Sequence, residues 1–194
     1  MVHLLELEEY AKKNNVPIML EDGIEFMLNY IKKNNIKKIL EIGTAIGYSS
    51  IKMALLDESI KVTTIERDES RYKEALKNID KYNLNNRINV IFDDAFNVEL
   101  DDSYDLIFID AAKSQYIKFF EKFKVNLNEN GVIFSDNLKF HGFVDMKLED
   151  IKSRNVRGIA RKLNNYIDFL KNNKEFKTEF YDIGDGISIS RKIN

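Results

Sequence analysis

The sequence contains no cysteine, one proline and two histidines among its 194 residues. Without cysteine there is no disulfide framework, no thiolate metal site and no cysteine nucleophile, so structural zinc is not expected. Long apolar runs are also missing, and the first residues, MVHLLELEEYAKKNN, carry glutamates where a signal peptide would carry its apolar stretch. We therefore expect a soluble protein, without a membrane span, in the cytoplasm.

An excess of one charge is lacking as well, because 30 Lys and Arg against 32 Asp and Glu give a net charge of -2. No overall electrostatic footprint indicates nucleic-acid binding, so any such binding would need a local patch. The chain is long enough for one domain that buries about 70% of its unfolded surface. No repeat or flexible linker divides it. We expect a single domain over 1–194, with an N-terminal helical cap over 1–34 and a core over 35–194.

Apolar residues at helical spacing predict helices over 4–13 and 22–33. From residue 36, short apolar strands alternate with helical segments, and the strands are IKKILEIG, KVTTIE, INVIFDD, YDLIFID and GVIFSDN. Several of these strands are apolar on both faces, which is typical of parallel strands covered by helices on both sides. After a helix over 154–172, FKTEFYDIG and DGISISRK predict a closing antiparallel hairpin. The sequence therefore predicts an α/β doubly wound sheet.

The first strand ends in a turn that favours a ligand with a cationic end. Glu41 precedes Gly43 and Gly47, after which Tyr48 and Ser49 open a helix. This G-x-x-x-G pattern lacks the third glycine of a dinucleotide fingerprint. A carboxylate beside the turn would repel a phosphate but could hold an ammonium group.

The next two strand ends offer contacts for a nucleoside. Glu66 follows Gly43 by roughly 20 residues, the separation at which an acid meets ribose hydroxyls in nucleotide-binding α/β units. Asp94 can receive an adenine amino group, and the small Ala95 leaves room for the ring. Asp94 taken alone could equally be a helix cap or a solvated turn residue.

Three oxygen donors follow the fourth and fifth strands. Asp110 ends the first of these, and Asp136 and Asn137 end the second. A carboxylate after an apolar strand rarely stays buried without a partner or a metal. Two carboxylates and an amide oxygen suit Mg²⁺ completed by water and substrate oxygens.

The chain resembles the metal-dependent class I O-methyltransferase family of the catechol and caffeoyl-CoA type. Within that family it is most similar to the bacterial branch that methylates 5-hydroxyuridine at the tRNA wobble position. The likeness runs from about Pro17 to the C-terminus and is carried, in order, by EIGTAIGYSS, IERD, DDAF, FIDAAKSQY, SDNLKFHG, RNVRGIARKLNNY and IGDGISIS. It implies a Rossmann-like sheet of seven strands, mostly parallel with a C-terminal antiparallel hairpin, and an N-terminal helical extension.

The resemblance also implies S-adenosylmethionine as methyl donor, Mg²⁺ or another divalent cation, and a homodimer. It assigns the metal to Asp110, Asp136 and Asn137, and it places Lys113 near the substrate hydroxyl, so that Lys113 and Asp110 become the catalytic candidates. The implied cofactor contacts are Met19, Glu41, Gly43, Tyr48, Ser49, Glu66, Asp94, Ala95 and Asp110.

The metal donors do not distinguish between the two kinds of substrate, because 5-hydroxyuridine can chelate a metal much as a catechol does. Arg154, Arg157 and Arg161 share one helix face and could track tRNA phosphates, or they could form a solvated surface. Phe140, His141 and Phe143 lie in the loop after the candidate metal donors Asp136 and Asn137. Their rings could stack on a base or pack within their own loop.

Other readings stay open on sequence grounds. The substrate could be a small catechol-like or other hydroxylated aromatic molecule. The protein could also be a nicotinamide-dependent oxidoreductase, against which the missing third glycine and Glu41 count. A non-catalytic nucleotide-sensing or RNA-binding module is a further alternative, although such a module has no use for the three oxygen donors together.

Overall fold

A computed structural model describes residues 4–193. Its α-helices are α1 (Leu5–Lys13), α2 (Glu21–Lys33), α3 (Tyr48–Ala54), α4 (Glu69–Lys81), α5 (Tyr116–Phe123) and α6 (Arg154–Lys171). Its strands are β1 (Lys38–Ile42), β2 (Lys61–Glu66), β3 (Ile88–Phe92), β4 (Tyr104–Ile109), β5 (Leu127–Ser135), β6 (Phe176–Tyr181) and β7 (Ile187–Lys192). Short 3-10 turns occupy Lys113–Gln115, Lys124–Asn126 and Leu148–Asp150.

The strands form a 7-stranded sheet in the order β3-β2-β1-β4-β5-β7-β6. The strands β1 to β5 are parallel, and β7 lies antiparallel between β5 and β6. The predicted α/β sheet with a closing antiparallel hairpin is therefore confirmed. Because the sheet is parallel up to β5, the carboxyl ends of these strands meet at one edge.

Alternating side chains of the strands enter two separate hydrophobic cores. In β4, Leu106 and Phe108 belong to one core, whereas Ile107 and Ile109 belong to the other. This follows from the two-residue period of a strand, and it explains why β4 reads as a continuous apolar run. Helices α1 to α4 contribute to the first core and α5 and α6 to the second, so the sheet is covered on both sides.

The fifth strand starts at Leu127, four positions before the Gly131 start that the apolar run predicts. Leu127 is apolar and buried, but the three residues after it are polar and at least partly exposed, so no apolar run marks this start; Asn128 Nδ2 donates to Asp105 Oδ1 at 2.7 Å. The cap and core boundary after residue 34 stays a prediction, and residues 1–3 and 194 of the predicted domain lie outside the described residues. Between residues 4 and 193, no helix is long and apolar enough to cross a membrane.

Candidate active site

A cavity of about 730 Å³ lies at the carboxyl ends of β1 to β4. Its wall also includes the segment between α1 and α2, around Met19, and residues of the loop after β5. A second cavity of about 570 Å³ lies at the opposite edge of the sheet, around Asp105. The carboxylate of Asp105 there already accepts the backbone N–H groups of Lys37 and Lys38. The first cavity is therefore the candidate site.

The turn after β1 requires glycine at position 43. Gly43 has a φ of +103°, and a Cβ there would lie 2.2 Å from the backbone oxygen of Asp110. The Gly43 N–H donates to the Ile65 oxygen at 3.0 Å. The glycine thus lets the β1 turn pass directly beside the end of β4, and both residues line the cavity.

Glu41 is fully buried and lies behind the cavity wall. Its carboxylate accepts hydrogen bonds from Ser49, Ser50 and the Thr64 hydroxyl, the last at 2.7 Å. Burial raises the pKa of Glu41 to about 7, although these hydroxyls act in the opposite direction. Of this group, Ser49 lines the cavity, so Glu41 fastens the start of α3; its direct contact with a cofactor stays a prediction.

Replacing Glu41 with glutamine should change how stability depends on pH. Because the folded-state pKa of Glu41 is raised, wild-type stability falls as pH rises from about 4.5 through about 7. Glutamine removes this loss, so the free energy of unfolding relative to wild type should improve by about 2 kcal/mol between pH 5 and pH 8. Urea unfolding at both pH values measures this difference in free energy. The control is Glu58→Gln, because Glu58 is exposed. A pH-independent difference would contradict the assignment.

Glu66 sits at the end of β2 with its carboxylate fixed toward the cavity. One oxygen accepts the Ala45 N–H at 2.8 Å, and the other accepts the N–H groups of Arg67 and Asp68 at 2.9 and 2.8 Å. Three backbone donors therefore hold the carboxylate rigidly. The remaining lone pairs are available to ligand hydroxyls, as the ribose prediction requires.

Asp94 and Ala95 lie beside an aromatic wall. Asp94 accepts the Phe96 N–H at 3.0 Å and an Arg67 N–H at 3.1 Å, and the Phe96 hydrogen bond, with help from Arg67, lowers the pKa of Asp94. The Phe96 ring stacks on Phe119 with centroids 4.8 Å apart. Both aromatic rings line the cavity with Asp94 and Ala95, so this corner can take a flat ring.

Met19 and Tyr48 are buried and line the cavity on the side of the N-terminal helices of the chain. The Tyr48 hydroxyl donates to Glu8 at 2.9 Å, and buried Lys52 lies 3.6 Å from the same Glu8 carboxylate. Burial, with help from Glu8, raises the pKa of Tyr48 well above its ordinary value. The polar end of Tyr48 is thus used to fasten α1 to α3, which leaves its ring to the cavity.

The predicted oxygen donors do come together. Lys113 Nζ donates to Asn137 Oδ1 at 2.6 Å, and Asn137 Nδ2 donates to Asp136 Oδ2 at 3.1 Å. Asp110, Lys113 and Asn137 line the cavity, whereas Asp136 is 2% exposed and lies behind them. Asn137 adopts a left-handed φ of 60°.

Negative side chains outnumber positive ones at the end of the cavity where Asp110, Lys113 and Asn137 lie. Burial raises the pKa of Asp110, against the effect of Lys113, and burial with the charge of Asp110 raises the pKa of Asp136 to about 7. Asp136 Oδ1 is buried without a hydrogen-bond partner among the described residues. Across residues 4–193 no group of three or more His, Cys, Asp or Glu could hold a metal, so a site here depends on the Asn137 amide. Two carboxylates, one of them with an unpartnered buried oxygen, and an amide oxygen fit a hard divalent cation.

Sequence reasoning missed several residues of the cavity wall. Phe96 and Phe119 come from separate segments, and only the fold stacks them. Gln115 and Asp185 line the wall near Lys113, as does His141, which the sequence had already offered as a candidate for base stacking. Asp185 lies in the turn that the sequence identified only as a hairpin, and the signal that could have found it is an acid between two glycines, Gly184 and Gly186.

The arginines predicted to contact RNA are exposed at the start of α6, and within residues 4–193 the cavity wall includes none of them. Arg157 donates from Nε and Nη2 to the Ile151 oxygen at 3.1 and 2.6 Å, so it also fastens the loop before α6. Arg154 and Arg161 remain on the surface. In the loop after β5, the Phe140 ring lies 5.6 Å from Phe143.

A parallel sheet with a glycine turn and acidic residues at its carboxyl edge defines a Rossmann-like enzyme fold for a nucleotide-type cofactor. The family model described as O-methyltransferase matches residues 1–193. This chain belongs to that family, which removes the basis for the nicotinamide oxidoreductase alternative.

Solved structures agree with the family. A Staphylococcus aureus protein provisionally described as a caffeoyl-CoA O-methyltransferase is 40% identical with a TM-score of 0.93, covering 100% of this chain and 93% of that one. An O-methyltransferase from Bacillus cereus, solved in complex with SAH, is 25% identical with a TM-score of 0.81, covering 98% and 90%. A curated caffeoyl-CoA O-methyltransferase from Populus kitakamiensis is 26% identical over 76% of this chain. The alignment covers 66% of that protein's length.

Proposed function

We propose that this chain is an S-adenosylmethionine- and Mg²⁺-dependent O-methyltransferase that converts 5-hydroxyuridine to 5-methoxyuridine at the tRNA wobble position. The observation that carries the proposal is one cavity whose wall joins a nucleoside-type corner at Glu66 and Asp94 to the oxygen donors Asp110 and Asn137. Such an arrangement suits a sulfonium donor at one end and a metal-bound hydroxyl at the other. Membership of the O-methyltransferase family supports the reaction type.

The residues that line the cavity offer a partner for each part of the donor. Glu66, held by three backbone N–H groups, would accept the ribose hydroxyls. Phe96 would lie against the adenine, with Asp94 at its amino group. Gly43 leaves space for the methionine end, which Ser49 and Asp110 would contact. The Bacillus cereus relative, which was solved with SAH, supports S-adenosylmethionine as the donor.

At the acceptor end, Asp110, Asp136 and Asn137 would hold Mg²⁺. The ion, when bound, supplies a positive charge that lowers the pKa of a coordinated hydroxyl. Lys113, already at Asn137 Oδ1, is the candidate to receive the hydroxyl proton or to hold the acceptor oxygen. The cavity wall then has to align that oxygen with the methyl group, because in-line attack on a sulfonium depends on positioning.

Replacing Lys113 with methionine should lower kcat/KM by about 100-fold or more, because the group that handles the proton is lost. SAH affinity should stay close to that of wild type, since Lys113 contacts Asn137 rather than the nucleoside corner. Lys73→Met is the control, because Lys73 is an exposed lysine of α4 that lies outside the cavity wall and pairs with Glu69. A wild-type rate for Lys113→Met would remove this lysine from the mechanism.

The tRNA substrate rests on Arg154 and Arg161, which are exposed and could meet phosphates. A small catechol-like or other hydroxylated aromatic substrate is the second candidate. It is favoured by relatives described as caffeoyl-CoA O-methyltransferases and as a flavonoid methyltransferase. The two candidate substrates share the metal chemistry. They differ outside the cavity, where tRNA would contact Arg154 and Arg161 and a small molecule would not.

Methyl transfer to hydroxyuridine-containing tRNA and to catechol, measured side by side, separates the candidates. The tRNA proposal predicts label in tRNA and a loss of about tenfold or more in Arg154→Ala/Arg161→Ala. The matched control is Lys171→Ala/Lys174→Ala, at the other end of α6, which should leave the rate unchanged. Label in catechol alone would move the substrate to small molecules. A homodimer and a cytoplasmic location belong to the same proposal.

A further inference from the structure

A third buried carboxylate lies at the acceptor end of the cavity, in the turn over residues 182–186 between β6 and β7. Asp185 is 6% exposed and lines the cavity. Its Oδ1 accepts the His141 N–H at 2.6 Å, and its backbone oxygen accepts the Lys139 N–H at 2.7 Å. The turn therefore holds the loop that follows the candidate metal donors Asp136 and Asn137.

The other carboxylate oxygen of Asp185, Oδ2, does not hold this loop. Oδ2 is buried and lacks a hydrogen-bond partner within residues 4–193, as does Oδ1 of Asp136. The two groups belong to segments that are held together, because the Leu138 N–H donates to the Gly186 oxygen at 3.0 Å and the Lys139 N–H donates to the Asp185 oxygen. Two nearby buried carboxylates, each with an unused oxygen, are costly unless a positive charge compensates them.

The described residues supply too little positive charge at this place. The ammonium nearest to Asp110, Asp136 and Asp185 among the described residues is that of Lys113, which donates to the neighbouring Asn137. Lys139 is paired instead with the exposed Asp182 on the outer side of the turn. If the three carboxylates are ionised, two negative charges stay uncompensated, which is the charge of one divalent cation.

Direct ligation by all three carboxylates is not what the arrangement offers. Within residues 4–193 no three His, Cys, Asp or Glu side chains are grouped closely enough to hold one ion. Asp185 lines the same cavity as Asp110 and Asn137, and from there its acceptor oxygen could hold a water of the ion's shell. A carboxylate that contacts the ligands or waters of a metal changes the affinity of the site for that metal, because it fixes them in place.

We propose that Asp185 is a positioning residue of the divalent-cation site, which accepts a hydrogen bond from a metal-bound water through its free Oδ2 and holds the loop after Asn137 through Oδ1. This proposal rests on the proposed metal site. It assigns to the turn between β6 and β7 a part in metal binding.

The competing account reserves Oδ2 for the imidazole of His141. His141 Nδ1 lies 3.7 Å from Asp185 Oδ2, beyond hydrogen-bond distance, and the side chain is 70% exposed. If the imidazole were the intended partner, removing it would disturb the site as much as removing the carboxylate does. The two accounts therefore differ in the behaviour of a His141 variant.

The test is the affinity of the full chain for Mn²⁺, followed through the electron paramagnetic resonance signal of the free ion at pH 8. Asp185→Asn keeps an oxygen for the His141 N–H and removes the charge, so the fold should survive. Its Mn²⁺ Kd should rise about tenfold or more. Asp182→Asn, on the exposed side of the same turn, and His141→Gln should bind Mn²⁺ like wild type.

Unchanged Mn²⁺ affinity in Asp185→Asn would overturn the proposal, and so would an equal loss in His141→Gln. Thermal unfolding and SAH affinity of each variant distinguish a local change from a folding defect, because metal-free Asp185→Asn should be at least as stable as metal-free wild type and should bind SAH normally. Failure of the proposed function would look different: wild type itself would bind no Mn²⁺, or Asp136→Asn would bind it as wild type does.

Discussion

Alanine at position 43 should abolish measurable cofactor binding. Its Cβ would lie 2.2 Å from the Asp110 backbone oxygen, and the left-handed φ of +103° disfavours any side chain. The backbone conformation alone costs about 1–3 kcal/mol, and relieving the contact would also separate the β1 turn from the end of β4. We expect the SAH affinity of Gly43→Ala to fall by at least about 100-fold, a loss of about 3 kcal/mol.

Isothermal titration with SAH measures this effect, and Gly158→Ala is the matched control. Gly158 lies in α6, and a Cβ there meets nothing within 4 Å. Alanine in a helix is favoured over glycine by roughly 0.5–1 kcal/mol, so the control should be slightly more stable and bind SAH normally. Near-normal SAH binding by folded Gly43→Ala would show that the β1 turn does not shape the donor site.

Asparagine at position 136 should abolish metal binding and lower kcat/KM by at least about 1,000-fold, because metal stabilisation of the acceptor oxygen is worth several kcal/mol. Asp136 lies behind the cavity wall, so SAH affinity should stay within about twofold of wild type. The metal-free variant should be at least as stable as metal-free wild type, because it no longer buries a carboxylate with an unpaired oxygen.

Methyl transfer and Mn²⁺ binding by Asp136→Asn are to be compared with those of Asp145→Asn, an exposed aspartate in the following loop. The control should match wild type in both assays. Full transfer by Asp136→Asn would contradict the metal assignment. A loss of both SAH and Mn²⁺ binding would indicate a wider distortion of the strand end instead.

The sheet was predictable because its signals are local. Strands such as β4 are short apolar runs, and a parallel sheet brings their ends to one edge, so Asp110 and Asn137 could be assigned to one site before the fold was seen. In β5 three polar residues separate Leu127 from the apolar run, and the predicted strand therefore starts four residues late. The start of β5 is defined by its backbone pairing with β4, which the polarity of its side chains does not reveal.

Side-chain direction was not predictable in the same way. Glu41 follows the pattern of a ligand contact, yet three hydroxyls, two of them from α3, turn it into a buried anchor. Asp185 could not be assigned to the site, because its place beside Asp136 depends on the antiparallel pairing of β7 with β5. Such contacts join segments far apart in sequence, and only the assembled sheet brings them together.

Methyl transfer by metal-stripped protein tests the central claim most directly. The protein, treated with chelator, would be supplied with labelled S-adenosylmethionine and hydroxyuridine-containing tRNA or catechol, and then titrated with Mg²⁺. The account predicts SAH binding without metal, no transfer until Mg²⁺ is added, and recovery of transfer that saturates with the ion. A full rate in the presence of chelator would contradict a metal role for Asp110, Asp136 and Asn137.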